Sequence, residues 1–207
     1  MSPGRRSPGR RTVWREKLAI LAVAGGLLLL AGFYLWLLGG SAPPASPEIG
    51  GPFRLTQDDG QVVTDRDFRG RYLLIYFGYT GCPDICPTTL GSVAEALHRL
   101  GARAGRLQPL FITVDPERDT PAAMRRYADA FSPRILGLSG TPAQIAAVEQ
   151  EYRISSAIHG TGGDPPGYTV DHTSVLLLVG PDGKYLAPLP AIESGAEIAA
   201  RLAPYLS

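Results

Sequence analysis

The sequence predicts an α/β domain, a sheet covered by helices, carried behind a single transmembrane helix. Three observations predict it. Leu18 to Leu38 is a run of 21 residues without a charge. Beyond it, short continuous apolar segments alternate with segments of helical period. The only two cysteines, Cys82 and Cys86, sit four apart at a junction between the two kinds of segment.

The chain of 207 residues carries 20 Lys+Arg against 19 Asp+Glu, a net charge of +1 that gives no reason to expect a nucleic-acid partner. The balance is uneven along the chain. Residues 1–17 hold six basic side chains (Arg5, Arg6, Arg10, Arg11, Arg15, Lys17) against Glu16, so this basic head is +5 and the remainder −4. The uncharged run at 18–38 follows directly. At 1.5 Å rise per residue it reaches about 30 Å, the thickness of a bilayer's hydrocarbon core. Tyr34 and Trp36 lie near its far end, where amphipathic rings favour the interface. It is longer than the roughly 7–15 apolar residues of a signal peptide. It has no polar face, unlike a surface helix. The positive-inside bias then keeps residues 1–17 cytoplasmic and exports everything after Leu38. The expectation is a single-pass protein of the inner (cytoplasmic) membrane with its domain in the periplasm or on the outer face. Residues 39–49, Gly/Pro/Ser/Ala-rich, read as a linker, and residues 50–207 as the folded domain, long enough to bury a core without staples.

Within that domain each element has a local reason. Phe53–Thr56 and Gln61–Thr64 flank Asp58-Asp59-Gly60 as an N-terminal hairpin. Tyr72–Phe77 is continuously apolar, the pattern of a strand buried on both faces. Pro87–Leu100 has helical period, with Leu90, Val93, Ala94, Leu97 and Leu100 on one face. Leu107–Val114 reads as a second buried strand and Pro121–Phe131 as a helix capped by Thr120. Ile135–Leu138 is a short strand. Thr141 caps a helix to Tyr152, with Pro142 at its first position. Ser155–Thr169 is Gly/Pro-rich and aperiodic, an inserted loop. Thr173–Val179 and Lys184–Leu189 flank Pro181-Asp182-Gly183 as a hairpin, and Glu197–Leu206 closes the chain as a helix. The order is compatible with a thioredoxin-like core carrying additions.

Two cysteines are too few for a disulfide framework, so their position decides their use. They fall between the end of a buried strand and the start of a helix. Free amides and the helix dipole there lower a thiol's pKa and favour thiolate, which is both nucleophile and metal ligand. Two thiolates alone suggest a redox dithiol; a third ligand shifts the reading to a metal. Of three histidines, His98 reads as a solvated residue on the polar face of its helix, and His159 as a surface residue of the loop. His172 immediately precedes the strand Val175–Val179, a segment that lies beside the cysteine loop in a thioredoxin-like core. A disulfide oxidoreductase of that fold has a cis-proline there. Two soft thiolates and an imidazole suit Cu(I) in a trigonal site; structural zinc ordinarily takes four ligands; Cu(II) would add a water or a carboxylate. Asp115 and Asp119 read either as a docking or auxiliary copper surface, or as a turn and the cap of the next helix. A thiol peroxidase built on Cys82 would leave His172 unused.

Three segments, in order, resemble the SCO/SenC family of membrane-anchored copper metallochaperones for cytochrome c oxidase assembly. They are Phe77-Gly-Tyr-Thr-Gly-Cys82-Pro-Asp-Ile-Cys86-Pro, Val114-Asp115-Pro-Glu-Arg-Asp119-Thr-Pro121 and Val170-Asp171-His172-Thr173. Thr173 stands where a serine is frequent in the family. The resemblance implies a thioredoxin-like fold with Cys82, Cys86 and His172 as copper ligands. It further implies delivery of copper to, or thiol reduction at, the copper A site of cytochrome c oxidase subunit II, with the copper supplied by a donor protein. The alternative it leaves open is a thiol–disulfide oxidoreductase in which Cys82 and Cys86 exchange without copper transfer.

Overall fold

The structure is a computed structural model and describes residues 10–38, 49–57, 59–160 and 167–207. The chain divides into two units between Pro47 and Glu48. Most of the linker expected at 39–49, the start of the basic head, Asp58 of the first turn and the middle of the loop at 161–166 lie outside the described residues.

The described residues of the N-terminal unit form one helix, α1 (Arg10–Leu38), which begins inside the basic head rather than at Leu18. Its described apolar side chains, from Ile20 to Trp36, are exposed. Among the described residues no helix is long and apolar enough to cross a membrane, so the spanning role expected for 18–38 is not part of what the fold establishes.

In the second unit the apolar runs become the middle of a seven-stranded sheet. Its strands are β1 (Arg54–Gln57), β2 (Val62–Thr64), β3 (Tyr72–Gly78), β4 (Leu107–Thr113), β5 (Leu136–Ser139), β8 (Val175–Val179) and β9 (Tyr185–Pro190), in the order β2-β1-β5-β4-β3-β8-β9. β3 and β4 pair in parallel from Tyr72 opposite Leu107 to Gly78 opposite Thr113, and β4 and β5 are also parallel. β8 runs antiparallel to β3, with Leu74 opposite Leu178 and Tyr76 opposite Leu176. The residues of β3 after Tyr72 are buried without alternation, as are the last four of β8; a strand in that setting must be apolar on both faces. The N-terminal hairpin joins the same sheet, because β1 also pairs antiparallel with β5.

The helices are α2 (Ile85–Leu100), α3 (Pro121–Asp129), α4 (Pro142–Tyr152) and α5 (Gly195–Leu202). Thr120, Thr141 and Ser194 accept from the backbone N–H groups of Ala123, Gln144 and Glu197, which fixes where α3, α4 and α5 start. α2 buries Leu90, Val93, Ala96, Leu97 and Leu100; Ala96 takes the place expected for Ala94, which is only half-buried. α5 approaches α2 closely. A β-carbon at Gly195 would stand 2.5 Å from Cβ of Glu95, so only glycine fits there. The Thr89 hydroxyl on α2 also meets the Ala191 carbonyl at 3.0 Å, tying the helix to the segment before α5.

One expectation fails. Ser155–Thr169 is not all loop: β6 (Ser156–His159) and β7 (Thr169–His172) form a separate two-stranded antiparallel sheet, with Ser156 opposite His172. Each strand is four residues, and most of β6 is exposed. Pairing only with each other, they need no apolar period, so none marks them.

The packing gives α2 a defined energetic weight. Leu90 is 1% exposed, and Leu90→Ala should destabilise residues 48–207, produced as a separate chain, by roughly 2–5 kcal/mol. Urea unfolding checks this: the midpoint should fall with the slope unchanged.

Candidate metal centre

The site lies where β3 ends. After Gly78 the chain turns through Tyr79, Thr80 and Gly81 to Cys82, and α2 begins at Ile85, so Cys86 is in its first turn and Cys82 just outside it. Pro87 lies in that first turn as well, where a missing N–H costs no helical bond. The backbone N–H of Cys86 donates to the Cys82 sulfur at 3.4 Å, so that sulfur does the work of a helix cap. Cys86 Sγ meets two further groups: the Tyr76 hydroxyl donates to it at 3.7 Å, and His172 Nε2 stands 3.4 Å away. Both cysteines are free thiols. One ligand atom from each of Cys82, Cys86 and His172 lies within 4.8 Å of the other two.

His172 closes the site from the end of β7. Its Nδ1 faces the Thr173 carbonyl at 3.3 Å. A carbonyl only accepts, so Nδ1 carries the proton and Nε2 keeps its lone pair toward the sulfurs, the arrangement a metal-binding imidazole needs. The rings of Tyr76 and Tyr79 stand edge-on to the imidazole, with centroids 6.1 and 6.0 Å away. Burial lowers the His172 pKa, with the Thr173 hydrogen bond and Asp171 opposing, so the neutral ring is favoured.

The expectation of a lowered thiol pKa at the helix N-terminus is corrected for Cys86. It is fully buried, and desolvation is the largest influence on its thiol, which is pushed up to about 12. The Tyr79 backbone and Tyr76 hydrogen bonds pull the other way without prevailing. The helix terminus is outweighed because no water reaches the sulfur. Cys82 is also buried, at 8% exposed, but it lines an open cleft of about 600 Å³ with Tyr79, Pro83, Asp84, Ile85, Thr169 to His172 and Ser174. One sulfur faces the cleft and the other sits beneath it.

Gly78 and Asp119 have structural roles here that their local sequence does not announce. A β-carbon at Gly78 would lie 2.6 Å from Cys86 Sγ and 2.9 Å from the Phe111 ring. Asp119 is buried, and its carboxylate accepts from Thr80 N–H at 3.0 Å, Thr80 Oγ1 at 2.5 Å and Thr113 Oγ1 at 2.7 Å. It braces the turn that presents Cys82. Burial raises its pKa, and the bonds to Thr80 and Thr113 offset this in part. Asp115 is buried too, accepting from the Tyr168 hydroxyl at 2.8 Å and from Arg118. Neither aspartate forms an exposed docking or auxiliary metal surface, and the three-residue metal cluster among the described residues includes neither. The turn forms at Asp115, and Thr120 rather than Asp119 caps α3. His98 is exposed on α2, as expected. His159 is exposed as well, in β6 rather than a loop, and pairs with Asp171 at 2.9 Å.

The fold that carries this group recurs in known proteins. The sequence profile described as SCO1/SenC matches residues 41–207. The chain belongs to the SCO1/SenC family. The mitochondrial SCO1 homolog of Mus musculus is 42% identical over 162 residues, 77% of this chain and 57% of that protein. The chain spans about half the length of the curated relatives it matches, the human homolog being covered to 54%. Among solved structures, Bradyrhizobium japonicum ScoI with copper bound superimposes with a TM-score of 0.70 at 44% identity, over 76% of this chain and 99% of that one. Yeast Sco1 with copper bound gives 0.72 at 34% identity, over 77% and 89%. These SCO structures share the thioredoxin-like α/β architecture of the second unit.

Two substitutions test this construction. Gly78→Ala forces the Cys86 sulfur or the Phe111 ring to move, and should cost roughly 1–3 kcal/mol of stability, as overpacking does, while lowering the rate at which the two thiols close to a disulfide. Asp119→Ala leaves Thr80 N–H and two hydroxyls without their acceptor. It should destabilise by on the order of 2–4 kcal/mol and speed amide exchange at Thr80, read by thermal unfolding and by hydrogen exchange.

Proposed function

We propose that this chain is a membrane-anchored copper metallochaperone. It holds one copper ion as cargo on Cys82, Cys86 and His172 and passes it to the copper A site of cytochrome c oxidase subunit II. The observation that carries the reading is the convergence of two sulfurs and one imidazole nitrogen within 4.8 Å. The chemistry of the set agrees: two soft thiolates suit Cu(I), and an added imidazole also accommodates Cu(II). Membership of the SCO1/SenC family and the copper-bound relatives support the same cargo.

Each residue has a part in loading and release. Cys82 faces the cleft and is the sulfur that an incoming donor or acceptor ligand can reach. Cys86 is the buried anchor, and its thiol gives up its proton only as the ion arrives, since metal binding requires the thiolate. His172, neutral and with the Nε2 lone pair turned toward the Cys86 sulfur, completes the set without a proton to lose. Three ligands leave an open coordination position, so transfer can proceed by exchange, one ligand replaced at a time. Copper would come from a donor protein that shields it.

The helix Arg10–Leu38 is the membrane anchor in this reading, spanning over 18–38. Residues 1–17 are cytoplasmic and the second unit is in the periplasm or on the outer face. What supports the anchor is the uncharged 21-residue run with its basic flank.

A second reading, thiol–disulfide exchange on the oxidase's cysteines, is favoured by one observation: both thiols are free and the Cys86 amide already bonds the Cys82 sulfur. Its mark is an exchange rate and potential indifferent to His172→Ala.

Copper titration of the full chain against a competing chelator separates the two. Cys82→Ser and Cys86→Ser should each abolish binding of one equivalent of Cu(I). His172→Ala should retain Cu(I) but weaken Cu(II) by roughly 10–100-fold. Parent-like copper retention in all three variants would exclude the chaperone site.

A further inference from the structure

The histidine half of the site is fastened differently from the cysteine half. β6 and β7 bond only to each other, so no backbone ladder joins the hairpin carrying His172 to the seven-stranded sheet. Beyond the chain's own continuation into β8, side chains do that work. The Val170 N–H donates to the Tyr79 hydroxyl at 3.3 Å, and the Tyr168 hydroxyl donates to Asp115 at 2.8 Å. Arg118 occupies the middle. Its guanidinium stands 3.7 Å from the centre of the Tyr168 ring and 5.6 Å from that of Tyr79. It donates to the Tyr168 carbonyl at 3.1 Å and to the Asp115 carboxylate. One side chain therefore touches the cysteine loop, the loop between β4 and α3, and the hairpin. A planar fork can stack on a ring and hydrogen-bond at its edge at the same time, which a lysine ammonium cannot do.

We propose that Arg118 is a positioning residue of the metal centre. By clamping Tyr168 against Tyr79 and Asp115 it seats the hairpin and holds His172 beside the two sulfurs. This rests on the reading of Cys82, Cys86 and His172 as copper ligands. Two thiolates suffice for Cu(I), whereas Cu(II) draws on the imidazole. Arg118 thus sets which oxidation state the site retains, without touching the ion.

The test uses the full chain in detergent micelles as parent, Arg118→Ala, His172→Ala and the double variant. Cu(II) and Cu(I) dissociation constants come from chelator competition; the sulfur-to-Cu(II) absorption band is recorded; and amide exchange at Val170 is measured on the metal-free chain. Arg118→Ala should weaken Cu(II) by roughly 10–100-fold, the range for partners that orient a metal-binding histidine, and shift the band toward that of His172→Ala. Cu(I) affinity should stay within about twofold, and in the His172→Ala background the Arg118 change should add no more than about twofold. Val170 exchange should accelerate, and Arg118→Lys should not restore the parent. Parent-like Cu(II) binding in Arg118→Ala, or an undiminished further loss in the double variant, would overturn the proposal. If Arg118→Ala does not fold, Tyr168→Leu removes the other half of the clamp and should give the same pattern, a parent-like pattern overturning it. Should the parent itself bind no copper, the ligand reading fails; Val170 exchange in the metal-free chain still judges the clamp, and an unchanged rate refutes it.

Discussion

The Cys86 sulfur rests against the backbone at Gly78, in the space a β-carbon would otherwise fill. The rest of the site depends on that contact. It lets α2 start hard against the end of β3, and it places one sulfur at the floor of a cleft with the second above it. β3 reaches this point only because it is apolar on both faces, paired along its length with β4 and over Leu73–Tyr76 with β8. The sheet is therefore the rigid member against which the ligands are arranged, and rigid elements hold such geometry better than loops do.

Around that floor the surrounding residues divide the task. Asp119, held by Thr113 at the end of β4, fixes Thr80 and with it the turn into Cys82. Tyr76 bonds the buried sulfur from within the core. Thr173, through its carbonyl, sets the proton on Nδ1 and turns Nε2 inward. The hairpin that carries the imidazole has no ladder to the main sheet, and the side chains of Arg118, Tyr168, Asp115 and Tyr79 add to its continuation into β8. In the proposed chaperone reading, such a two-part site lets an acceptor compete for the more accessible ligands while the buried sulfur keeps its place.

Much of this was legible in the sequence. The buried strands, the capped helices at Thr120 and Thr141 and the C-terminal hairpin follow from local pattern, because each is decided by its own residues. Cys82, Cys86 and His172 stood out because no other cysteine competed and because the histidine sits where the fold brings it to the cysteine loop. What was not legible depends on contacts across the chain. The β6–β7 hairpin has no apolar period, since only Val170 of its two strands enters the core. The high pKa of Cys86 follows from burial under elements up to 86 residues away, against which a helix terminus read locally gives the wrong sign. For Asp115 and Asp119 the local pattern allows either a surface or a turn and a helix cap; only the fold reveals the threonines, tyrosine and arginine that accompany them inward.

The central claim is a site of two sulfurs and one nitrogen on a single copper. X-ray absorption at the copper edge of the Cu(I)-loaded full chain tests it most directly. The account predicts one copper per chain with two sulfur scatterers and one imidazole nitrogen, the nitrogen lost in His172→Ala and no copper retained in Cys82→Ser. A spectrum dominated by nitrogen and oxygen, or one unchanged by either substitution, would contradict it.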